Sequence, residues 1–109
     1  MRCFLAAFVA CVSVLGLAAQ GSALPPGLRY CKRPGLAGDY LGASPSVSCS
    51  TARKVEAKVF SSACITRTRC LAYRFTCLAY WDGRYGRAFS YTNHAICRSG
   101  ARRIEMDEG

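Results

Sequence analysis

Six cysteines between residues 31 and 97 constrain this chain more than any other feature of its sequence. Cys31, Cys49, Cys64, Cys70, Cys77 and Cys97 lie in a chain of 109 residues. A domain this small buries a modest core and needs covalent or metal help, so an even cysteine count reads as three disulfides. Zinc is the competing use. There is no C-x-x-C pair and His94 is the one histidine, so neither a metal site nor any cofactor is expected. Disulfides persist in oxidising compartments, and the N-terminus supplies a route to one. "MRCFLAAFVACVSVLGLAAQGSA" sets Arg2 before an apolar run that ends near Ala19, followed by small residues. That is the layout of a secretory signal peptide over residues 1–23, cleaved after Ala23 or Gly21. The run falls short of the roughly 20 apolar residues of a membrane span, so no span is expected after cleavage. Phe8-Val9-Ala10 is a poor match for lipid attachment at Cys11. The expected location is extracellular or cell-envelope.

Residues 24–47 carry all four prolines and read as an extended arm, ending in a short edge strand near Tyr40-Leu41 and pinned by Cys31. Residues 48–107 read as the folded domain. "SCSTARKVEAKVFSSAC" predicts a helix: Ser48 or Ser50 can cap it, and no proline or glycine interrupts it. Ala52, Val55, Val59 and Ala63 recur at helical spacing, with Phe60 widening the stripe and Glu56 at its edge. "CLAYRFTCLAYW" alternates instead and predicts one strand, with Leu71, Tyr73, Phe75, Cys77, Ala79 and Trp81 on the face toward the helix. "DGRYG" predicts a turn, "RAFSYTNHAIC" a second strand, and "ARRIEM" a third after "RSG". The expected fold is α+β: one helix packed on a three-stranded antiparallel meander, stapled by disulfides.

Element rises then suggest a pairing. A helix from Cys49 to Cys64 is about 22 Å long, too far for a bond between them. A strand returning from Cys70 covers that distance in about seven residues, which lands on Cys77. Cys49–Cys77 and Cys64–Cys70 would close the two ends, leaving Cys31–Cys97. A rival scheme joins Cys77 to Cys97 and Cys31 to Cys49. A hairpin centred on Arg84 argues against it, because it sets Cys97 opposite Leu71.

"SCSTARKV", "YRFTC" and "AICRSGARRIEM" together resemble a small exported cysteine-rich domain common in actinobacterial sequences. Ser48, Cys49, Ala52, Arg53, Val55, Phe75, Cys77, Cys97, Gly100 and Arg102 carry the likeness, over residues 38–107. The resemblance implies an exported framework and no particular activity.

The net charge is +9, from 15 basic and 6 acidic side chains. That favours acidic partners, such as an acidic polymer, a glycan or an extracellular protein. The basic residues form no run longer than two, so no nucleic-acid-binding arm is indicated. Catalysis finds little support. Glu56, His94 and Arg74 are the residue types of a ribonuclease, but helix and strand separate Glu56 from His94. Three disulfides leave no spare thiol, and no G-x-S-x-G or phosphate-cradling loop occurs. The chain therefore reads as a non-enzyme. Around "DGRYG", Tyr80, Trp81, Tyr85, Phe89 and Tyr91 gather with Arg84 and Arg87, residue types suited to stacking and cation–π contact. Phe89, Tyr91 and Trp81 are expected under the helix, while Tyr85 and Arg84 are expected at the tip. Arg84, Tyr85, Arg87, Arg67 and Arg69 are thus the candidate binding residues of a secreted basic module. One alternative is a protease inhibitor presenting Arg67, Arg69 or Arg84 from "ITRTR" or "DGRYG". Another is a cationic antimicrobial protein acting through the helix's basic face.

Overall fold

The computed structural model describes residues 24–36, 38–81, 84–92 and 94–108. The signal peptide expected over 1–23 lies outside them, as do Asp82 and Gly83 of the expected turn. Strands β1 (Arg29–Lys32) and β2 (Tyr40–Ala43) precede helix α1 (Cys49–Val59). Then come β3 (Arg69–Ala72), β4 (Phe75–Trp81), β5 (Arg84–Tyr85), the one-turn helix α2 (Phe89–Thr92), β6 (His94–Ser99) and β7 (Arg102–Asp107). The strands form one antiparallel sheet in the order β1-β2-β7-β6-β4-β3, with β5 also paired to β4. The expected helix on a three-stranded meander is therefore corrected to a mostly β fold, with seven strands and two short helices among the described residues.

The helix begins where its capping chemistry places it. The Ser48 hydroxyl accepts a bond from the Thr51 N–H at 3.0 Å, satisfying one of the donors that every helix start leaves open. Ala52, Val55 and Val59 are buried, as their spacing requires. The helix ends at Val59 rather than Cys64, and turns carry the chain from there to β3.

Three features that propensity does not announce add the extra strands. First, the run read as one strand folds back on itself. Tyr73 and Arg74 have φ of 48° and 72° and join Ala72 to Phe75 in a two-residue hairpin. Such turns favour Asn-Gly because both central residues sit at positive φ, and Tyr-Arg carries no such signal. The burial phase flips across the turn, from Cys70 and Ala72 to Phe75, Cys77 and Ala79. Second, the expected second strand is divided, because residues 89–92 form α2 and only His94 onward is strand. Third, the arm supplies two sheet strands, and β2 is interior rather than an edge. Gly42 lets the Leu24 side chain lie close over β2, since a Cβ there would come within 2.8 Å of it.

These features also explain the disulfides. The bonds are Cys31–Cys49, Cys64–Cys70 and Cys77–Cys97, so the expected Cys49–Cys77 and Cys31–Cys97 are corrected to the rival pairs. Because β3 reverses after four residues, Cys77 returns beside Cys70 instead of travelling to the Cys49 end. The excursion through β5 and α2 shifts the β4–β6 register, so Cys97 faces Cys77 and not Leu71. Cys70, Cys77, Cys97, Ile104 and Ala43 then form one buried row across β3, β4, β6, β7 and β2. Ala52, Val55, Val59 and Phe89 complete the core on that face. Full burial of a side chain such as Val55 is worth roughly 1.5–3 kcal/mol. The other sheet face carries Tyr40, His94, Arg103 and Glu105, along with Leu78 and Ile96.

Candidate functional site

The sheet's two edges are built differently, and the candidate binding residues all lie toward one of them. Arg67 precedes β3 and Arg69 opens it; Arg84 and Tyr85 are β5, and Arg87 follows at once. A groove of about 700 Å³ is lined by residues 66–71 and Tyr85. A second, of about 330 Å³, is lined by Trp81, Arg84, Tyr85, Gly86 and Arg87. Tyr85 is common to both, so the two grooves adjoin at the β3–β5 end, although strand alternation sets Arg69 and Tyr85 on one sheet face and Arg84, with Trp81, on the other.

Local packing fixes its aromatic members. Pairing of Tyr85 with Tyr80 sets their rings 6.4 Å apart, and the Tyr85 hydroxyl lies 3.3 Å from that of Thr68. Gly86, at φ +133°, turns the chain sharply after β5. The Arg87 guanidinium then stands over the rings of both Trp81, at 5.7 Å, and Tyr91, at 5.8 Å. Trp81 and Tyr91 had been expected under the helix, but both are exposed. The one turn of α2 points Phe89 inward against Phe60 instead. No described carboxylate forms an ion pair with Arg67, Arg69, Arg84 or Arg87.

The described acidic residues are at the other end, on β2, β7 and α1 or close by, and they are engaged there. Glu56, the apparent flaw in the helix stripe, accepts from Lys32 Nζ at 3.2 Å, and Asp39 is 3.8 Å from the same ammonium. Burial opposes the Lys32 charge, but the bond and charge of Glu56 prevail and raise its pKa. Glu108 approaches Glu56, and their shared hydrogen bond, followed by burial, pushes its carboxyl up to about 7. Several basic groups of this end are occupied as well. Arg29 donates to the carbonyls of Ala43, Ser44 and Val47, and Arg53 to that of Cys31. On the helix face, Lys58 lies over the Tyr73 ring at 5.7 Å.

His94 belongs to this engaged end. Its ring nitrogens lie 3.4 Å from Glu105 and 3.4 Å from Asp107. Glu105 also accepts from the Tyr40 hydroxyl at 3.1 Å and from Arg103 Nη2 at 3.2 Å. The bond to Glu105 holds the His94 pKa above its ordinary value despite burial, and the same bond holds Glu105 below its own. Burial and the Glu105 charge raise the Tyr40 hydroxyl. A carboxylate serving three donors is a poor proton acceptor for a substrate, so the cluster clasps β2, β7 and β6 together. The sequence weighs His94 only against Glu56 and Arg74, a combination set aside above, and so misses this set. The strand alternation of Arg103, Glu105 and Asp107 was the available signal, but it needed the neighbouring strand to be known.

The loop "ITRTR" is bound to its own fold. The Arg67 carbonyl accepts from Phe89 N–H at 2.9 Å, and that of Ile65 from Ser90 N–H at 2.8 Å. No helix among the described residues is long and apolar enough to cross a membrane. No family model, curated protein or solved structure matches the chain.

Proposed function

We propose that this chain is an exported, disulfide-stapled binding module without catalysis of its own, which holds acidic envelope or extracellular material on its arginine–aromatic face. The observation that carries the reading is the gathering of Arg67, Arg69, Arg84 and Arg87 around Tyr85, none of them ion-paired to a described carboxylate. Guanidinium groups suit the paired oxygens of carboxylates, sulfates and phosphates, and the flanking Tyr and Trp rings offer stacking planes. The three disulfides fit a small module in an oxidising, extracellular setting. The net positive charge would steer acidic partners toward it, more strongly at low salt.

A protease-inhibitor reading through Arg67 is weaker. An inhibitor loop must offer the carbonyl beside its specificity residue to the protease, and that of Arg67 is already bonded within the fold. The test of the binding reading is retention of the oxidised protein on heparin-like or cell-wall resin at physiological salt. Retention lost in Arg84→Ala/Arg87→Ala, and reduced in Arg67→Ala/Arg69→Ala, supports this face. Unchanged retention in both variants overturns it.

A further inference from the structure

The groove beside Tyr85 runs along β3, the terminal strand of the sheet. In the β3–β4 hairpin, Ala72 faces Phe75 across a two-residue turn, and further along Ala79 N–H donates to the Thr68 carbonyl at 3.0 Å. Hydrogen-bonded pairs alternate with non-bonded pairs in an antiparallel ladder. Residues 68, 70 and 72 therefore turn their backbone groups toward β4, while Arg69 and Leu71 turn theirs outward. No described strand lies beyond them. The opposite edge is blunted by a bulge between Tyr30 and Lys32, by prolines on either side of β1 and by the Cys31–Cys49 bond. β3 has no bulge, and its Leu71 side chain is 64% exposed.

We infer that β3 is a docking edge for an extended acidic polypeptide, which adds to the sheet as a further strand while its carboxylates meet Arg67 and Arg69. The inference rests on the proposed arginine face and narrows its partner from acidic material in general to acidic peptide. Two features select that occupant. The outward N–H and C=O groups of Arg69 and Leu71 match the spacing of another peptide backbone, which a glycan lacks. Charge excludes the simplest alternative strand, a second copy of β3, because pairing two such edges would set Arg69 and Arg67 of both chains against each other.

The test titrates the isotopically labelled, oxidised protein with a synthetic peptide of about 8 residues that alternates Glu with Val or Thr. An otherwise identical peptide, N-methylated on alternate amides, keeps the charge and removes the strand's donors. Slowed exchange of the Arg69 and Leu71 amides, with the N-methylated peptide binding about tenfold more weakly, is the expected result. Leu71→Pro, which removes one outward donor at a position where edge proline is tolerated, should weaken the plain peptide by a similar factor. Equal binding of the two peptides, protection confined to other amides, or self-association through β3 would overturn the edge inference. The arginine face itself would survive any of these if resin retention still depended on its arginines. Retention that ignores those arginines would remove the face and the edge inference together.

Discussion

The β1–β2–β7 end and the β3–β5 end of the sheet carry comparable chemistry and use it in opposite ways. At the first end, Lys32, His94 and Arg103 have carboxylates within 3.4 Å, and Arg29 is occupied by three carbonyls. At the second, Arg67, Arg69, Arg84 and Arg87 stand on grooves without an acidic partner among the described residues. A satisfied ion pair fixes strands in register, whereas a guanidinium left in water remains available to a ligand. The contrast implies that substitutions at one end change stability and those at the other change binding.

The strongest way to break that contrast is Glu105→Ala. Glu105 is mostly buried and serves three partners, so its loss should cost about 2–3 kcal/mol while retention on anionic resin persists. Denaturant unfolding beside a resin assay checks both halves, and unchanged stability would mean the clasp is idle.

A pH series sharpens the comparison. His94 is raised, so its contribution is complete below 6.5 and fades as pH climbs through the elevated value. Glu105 is lowered, so its contribution is complete above 4.5 and fades as pH falls through the depressed value. Stability from the pair should thus peak between these limits. His94→Gln should remove about 1 kcal/mol there and flatten the decline above pH 6.5.

Removing the arginines of the other end one at a time should move unfolding by no more than about 0.5 kcal/mol each, with Arg87 the largest because of its two ring contacts. A larger loss would show that these side chains serve the fold after all. The smallest effect is expected from Glu108→Gln. The Glu108 pKa is raised to about 7, so ionising this carboxyl opposes folding as pH rises above 4.5. The substitution should leave unfolding unchanged at pH 4 and stabilise slightly at pH 8, as thermal melts at the two values would reveal.

Local patterns made part of this legible. Ser48 and the stripe through Val55 and Val59 are helix chemistry contained within a dozen residues, and the structure has the helix there. The alternation of Phe75, Cys77 and Ala79 is likewise strand chemistry, and these residues are buried. The candidate face was legible as residue types only. Arg84, Tyr85 and Arg87 adjoin in sequence, but their union with Arg67 and Arg69 depends on where β5 lands beside β3. The His94 clasp was illegible for the same reason, since its members come from three strands.

Sequence by itself determined what short-range physics can specify: six cysteines between residues 31 and 97 of a small basic chain, one capped amphipathic helix, and strand-forming alternation before and after residue 81. Tertiary structure alone decided the rest. A Tyr-Arg hairpin at positive φ, and an excursion through α2 that resets the β4–β6 register, have no local propensity to announce them. They are held by the packing of Cys70, Cys77, Cys97 and Ile104 in one buried row. That energy arises only once distant strands have met, so it fixed the disulfide partners and the strand count where spacing along the chain could not.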